Sequence, residues 1–134
     1  MTIVLIAVVT YLLATALLVR AAARDSLDRA RGWLWPAVAA VVLHGTYHLL
    51  VALHATGGAD MHFFAALSLV GLGMAALTTL FGARGRMAAL GVVVFPLAAA
   101  MLAGYAFYGH RPPEQHDWRL QLHAWCALLA YSTL

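Results

Sequence analysis

Lysine is absent from this chain. All eight basic residues are arginines, set against five acids, and charged side chains make up only 10% of the sequence. The net charge of +3 comes from a few scattered arginines with no interleaved aromatic platform, so no nucleic-acid partner is expected. Cysteine occurs once, as Cys126. That excludes an intrachain disulfide, a CxxC pair and CxxCH haem attachment. A single thiol in an apolar stretch is expected to be buried and inert. No P-loop, GxGxxG fingerprint, Ser-His-Asp order or carboxylate pair within an apolar segment is present. An independent nucleotide enzyme or hydrolase is therefore not expected. The period-2 alternation of membrane barrel strands is missing as well.

What fills the chain is apolar. Of 134 residues, 64% are hydrophobic. A soluble domain of this size cannot hide so much apolar side chain, so the lipid bilayer is the expected solvent. A span needs about 20 mostly apolar residues. Four segments qualify, at Thr2–Ala22, Trp35–Leu53, Phe63–Phe81 and Met87–Tyr108. A fifth begins near Leu120 and is still apolar at Leu134, where the chain is expected to be cut inside its fifth helix. Ala and Leu dominate these segments, which favours helix. The expected fold is all-α: a polytopic helical membrane protein in one transmembrane domain, residues 1–134.

The connections set a direction. Arg20 closes the first span, Arg24, Arg29 and Arg31 follow it before the second, and Arg84 and Arg86 lie between the third and fourth. The positive-inside rule places these arginines in the cytoplasm and the N-terminus outside. No positive charge precedes the first apolar run, so it reads as a retained span and not as a secretory signal. Trp33, Trp35, Tyr105, Phe107, Tyr108 and Trp118 fall near span ends, where aromatic residues are expected to anchor the interfaces. Gly71, Gly73 and alanines such as Ala75 and Ala98 suit close helix packing. Pro96 is expected to kink the fourth span, and Met74, Met87 and Met101 to fill the core.

Against this background seven histidines stand out. An ionisable residue inside a span is a functional-site hypothesis by default. His44 lies roughly 14 Å into the second span, close to mid-bilayer. His48 shares its helix face one turn further out. Either ring can instead donate to a carbonyl of a neighbouring helix and serve packing alone. A lone His-x3-His pair is a weak zinc signal. His123 lies one turn into the fifth segment. His54, His62, His110 and His116 flank the outer connections, where solvated loop histidine is the ordinary reading.

The fifth segment, His123-Ala-Trp-Cys-Ala-Leu-Leu-Ala-Tyr131-Ser132-Thr-Leu, carries a histidine, an apolar run and then a small residue followed by Tyr. It resembles the corresponding helix of the cytochrome c assembly proteins, the CcsA-type haem-handling membrane proteins and their HemX-like relatives. The order of the other segments is similar: a histidine at His44, Ala-Leu-Ser68-Leu-Val opening the third, and Val-Phe-Pro96-Leu-Ala-Ala in the fourth. The resemblance implies a multi-pass protein of the bacterial inner membrane that binds or transfers non-covalent b-type haem at the outer face. His123 would match the outer-side haem ligand and His44 the intramembrane one. Other cytochrome c maturation proteins would be partners, and the role would be that of an assembly factor more than an enzyme. The family's tryptophan-rich WxWDxxE segment does not occur in these residues. Bis-histidine ligation needs two imidazoles on opposite faces of the macrocycle, so His123 would require a second ligand from another helix or from His54, His62 or His110. Two other readings stay open: a cofactor-free structural or regulatory scaffold, and a transporter or proton-relay module on the His44/His48 face.

Overall fold

A computed structural model of the chain describes residues 1–27, 31–54, 62–83, 86–108 and 118–133. The element order is α1 (Thr2–Ala23), α2 (Leu34–His54), α3 (Phe63–Gly82), a 3-10 turn (Arg86–Leu90), α4 (Gly91–Tyr108) and α5 (Trp118–Thr133). No strand occurs among the described residues. Four of the helices are long and apolar enough to cross a membrane, the fourth counted from Met87 through the 3-10 turn. The protein is an all-α, multi-pass bundle. The first three spans end within one residue of the bounds expected from hydropathy. The fourth differs in its opening turn, which is wound as 3-10, a common form at helix termini. Pro96 sits inside α4, which is continuous helix from Gly91 to Tyr108.

The bundle is inside-out relative to a soluble one. Leu5, Val9, Leu12, Val42, Leu49, Leu80 and Val93 all point outward and are exposed. Small residues fill the interior. The buried stripe of α1 is Val4, Ala7, Tyr11, Ala14, Leu18 and Ala21, alternating steps of three and four residues. That spacing keeps one seam facing its neighbours, and alanine lets the backbones approach. α1 packs on α2 and α4, α3 packs on α4 and α2, and α5 lies outside this ring against α3. At Gly71 an added Cβ would stand 2.9 Å from Met101 Sδ and 3.3 Å from Ala98 Cα, so a larger residue would have to shift Met101 and press on the α4 backbone. Polar hydroxyls on outward faces are satisfied within their own helix: Thr10 Oγ1 donates to Ile6 O at 2.8 Å and Thr46 Oγ1 to Val42 O at 2.8 Å.

The helix ends follow local chemistry. At the end of α1, Ser26 N–H reaches Ala21 O and Asp25 N–H reaches Ala22 O, with Asp25 at φ 50 in the left-handed region. This is a Schellman closure with aspartate where glycine is usual. At the start of α3 the cap is an imidazole: His62 Nδ1 accepts from Ala65 N–H at 3.0 Å.

Four expectations are corrected. Trp33 is not an interfacial anchor but a core plug, 2% exposed and stacked at an angle on Phe95, because Gly82 leaves room for its ring. Tyr105 is buried and faces the histidines of α2, while Phe107 and Tyr108 on the same helix are exposed as expected. Met87 is exposed, since the 3-10 turn directs Ala88 inward instead. Cys126 is exposed, because α5 packs on α3 alone among its substantial contacts and leaves much of its surface outward.

Candidate functional site: a histidine chain at the bundle centre

The centre of the ring holds a polar chain contributed by three helices. The α1 seam delivers Tyr11, the α2 seam (Ala37, Ala40, His44) delivers His44, and the α3 seam (Ala65, Ser68, Gly71) delivers Ser68. All three side chains are fully buried. Tyr11 Oη lies 3.2 Å from His44 Nδ1, and His44 Nε2 lies 2.9 Å from Ser68 Oγ. His48 Nε2 lies 2.9 Å from the same Ser68 Oγ. No buried side-chain nitrogen or oxygen among the described residues lacks a hydrogen-bond partner. In a membrane interior each unmade bond is costly, so this completeness is what permits polar side chains here.

Aromatic rings extend the chain to one end of the bundle and close it at the other. His44 and His48 stack at 5.4 Å between centroids. His48 in turn lies flat on Tyr105 of α4 at 4.9 Å and 5°. The His62 ring meets Tyr105 edge-on at 5.6 Å. These groups run toward the end where α2 finishes and α3 begins. On the opposite side Tyr11 stacks on Phe95, and Phe95 packs on Trp33, within an apolar cluster that includes Leu18, Ala75 and Ala99.

The remaining histidines differ from this pair. His54 Nδ1–H donates to Leu50 O at 2.6 Å in its own helix, with the ring exposed. His62 spends the Nδ1 lone pair on the α3 cap. His123 is exposed on α5 and has no hydrogen-bond partner among the described residues. His110 and His116, together with Pro112, Pro113, Arg111 and the acids of both outer connections, lie outside the described residues. Among the described residues no group of three or more His, Cys, Asp or Glu is placed to hold a metal ion.

These geometries test the fit of haem. A histidine ligates iron through an unprotonated ring nitrogen while its other N–H is held by a neighbour. His44 has both nitrogens engaged by side chains and is packed on every side, so it does not fit as an axial ligand in this arrangement. His123 is exposed, with no hydrogen-bond partner among the described residues. α5 meets α3 and is not in substantial contact with α2, so the two histidines named by the resemblance sit on separate parts of the bundle. Sequence reasoning missed Tyr11, Ser68 and Tyr105. A usable signal was present: Tyr11 and Ser68 are polar side chains at seam positions, where every neighbouring seam residue is small or apolar.

The fold and its centre define a class, the multi-pass helical bundle with an intramembrane histidine pair. Comparison with family models, with curated proteins and with solved structures finds no match to the chain.

Proposed function

We propose that this protein is a haem-handling component of cytochrome c assembly in the bacterial inner membrane, with haem as its cargo. The observation that carries the reading is the state of His123: an exposed imidazole, without a partner among the described residues, in the His-apolar run-Ala-Tyr-Ser motif of α5. In this reading the arginine-rich connections are cytoplasmic, the N-terminus is outside and α5 starts at the outer face. His123 is there one turn below the interface, where an amphipathic macrocycle keeps its propionates in water. Its Nε2 or Nδ1 supplies one axial bond; the second comes from another helix, from a loop histidine or from a maturation partner. His44 is a structural member of the bundle in this reading and not a ligand.

The test uses purified full-chain protein supplemented with haem. A Soret band that collapses in His123→Ala and persists in His44→Gln is the expected result. A colourless protein, together with normal c-type cytochromes in a deletion strain, overturns the proposal. A second reading, a cofactor-free scaffold, is favoured by one observation: the buried hydrogen bonds of the four-helix ring close on themselves. It expects unchanged cytochrome levels after alanine substitution at either position.

A further inference from the structure

α2 and α3 are tied together at two levels. Near mid-span, Ser68 of α3 meets His44 and His48 of α2, and an added Cβ on Gly45 would stand 3.9 Å from Leu72 Cδ2. Just before α2, the Trp33 ring comes within 2.9 Å of where a Cβ on Gly82 would be. Between these ties the outward side of the helix pair is a groove of about 590 Å³. Each helix gives it one stripe: Leu34, Val38 and Val41 from α2, and Ala76, Leu80 and Ala83 from α3. Steps of three and four residues keep each stripe on one face. Thr79 also lines the groove, but its hydroxyl donates to Ala75 O at 2.7 Å within α3 and adds no free polar group. Val38, Val42 and Leu80 are exposed, so the groove opens sideways from the bundle.

Charge enters this groove at one end only. Arg31, three residues before α2, lines it, is exposed, and has no side-chain partner among the described residues. Trp35, four residues on, is 81% exposed. No other lining residue is ionisable. Two grooves of similar size elsewhere lack this feature: one of about 510 Å³ between α3, α4 and the end of α5, and one of about 550 Å³ between α3 and α5, have no charged side chain in their walls. From Leu34 to Val42 the groove runs about 12 Å along α2, most of the roughly 15 Å of hydrocarbon in one leaflet.

We propose that the α2/α3 groove seats one acyl chain of an anionic phospholipid, with the lipid phosphate on Arg31. An apolar slot with a single cation at its interfacial end is complementary to a ligand with an apolar tail and an anionic head. The guanidinium pairs phosphate oxygens through a planar fork, while its aliphatic stem lies along apolar surface. Trp35 marks the same level, because tryptophan favours the headgroup region. A zwitterionic lipid carries its own cation beside the phosphate and gains less from Arg31. The site holds for either orientation of the bundle in the membrane, and it does not depend on haem.

The experiment is native mass spectrometry of the full-chain protein titrated with phosphatidylglycerol and, separately, with phosphatidylcholine of the same acyl chains. Arg31→Gln is expected to weaken binding of the first phosphatidylglycerol about five-fold and that of phosphatidylcholine less than about two-fold. Arg20 is exposed at the same end of the bundle and lies outside the groove, so Arg20→Gln is expected to leave both lipids within about two-fold of the parent. Equal losses from the two substitutions mean a diffuse attraction of the basic end for anions and overturn the site, as does unchanged affinity in Arg31→Gln. Ala76→Leu narrows the groove from its α3 wall and is expected to weaken both lipids at least about three-fold. Unchanged binding of both in that variant overturns the seat of the acyl chain. Dimer masses that Ala76→Leu abolishes, with lipid binding unchanged, make the occupant a second copy of the chain and overturn the proposal.

Discussion

The four-helix ring and the appended α5 treat histidine in opposite ways. In the ring, His44 is fully buried and both its nitrogens are engaged; on α5, His123 is exposed and its nitrogens are uncommitted among the described residues. Both residues sit in apolar helices. Packing separates them. α1, α2, α3 and α4 enclose a common centre, so a polar side chain there must find protein partners. α5 has one substantial neighbour, so a side chain off that contact faces outward. The same residue type is thereby a bundle lock in one place and an exposed side chain in the other.

Substitutions that break the contrast should rank accordingly. The largest effect is expected from His44→Ala. It leaves a cavity the size of an imidazole and strands Tyr11 Oη and a Ser68 contact, for a loss of about 2–4 kcal/mol in unfolding free energy measured in detergent or bicelles. A loss under about 0.5 kcal/mol would mean that the centre is wet or loosely packed. Next is Gly71→Leu, where the side chain must displace Met101 and the α4 backbone; about 1–3 kcal/mol of destabilisation is expected in the same assay. The smallest is His123→Ala, expected within about 0.5 kcal/mol of the parent because no described contact is lost. That substitution should change ligand spectra while leaving the melting curve in place. If it instead unfolds the protein, α5 is part of the lock and the contrast fails.

Much of the architecture was legible in the residues. Length and hydropathy located four spans to within about one residue at most ends, because twenty apolar residues in a row have few alternatives in water or lipid. The small-residue seams were visible too: Gly71 and Ala98 meet as their size suggested. The site was legible only in part. His44 and His48 marked one helix face, yet nothing in α2 says that Tyr11 and Ser68 will meet them. That depends on which seams of α1 and α3 face inward and at what height they cross, and local sequence does not encode height. Trp33 and Tyr105 were misread for the same reason. A tryptophan or tyrosine near a span end is an interfacial anchor unless a neighbour leaves it a slot, and Gly82 on another helix supplies the slot for Trp33.

The sequence by itself determined the solvent, the helical class, the number of long apolar segments and the scarcity of ionisable groups within them. Those follow from local free energies of transfer and backbone hydrogen bonding, which each segment settles for itself. Only the tertiary structure decided which histidines are spent. Whether an imidazole lone pair is available is a property of its neighbours, and the neighbours of His44 and His48 come from three other helices.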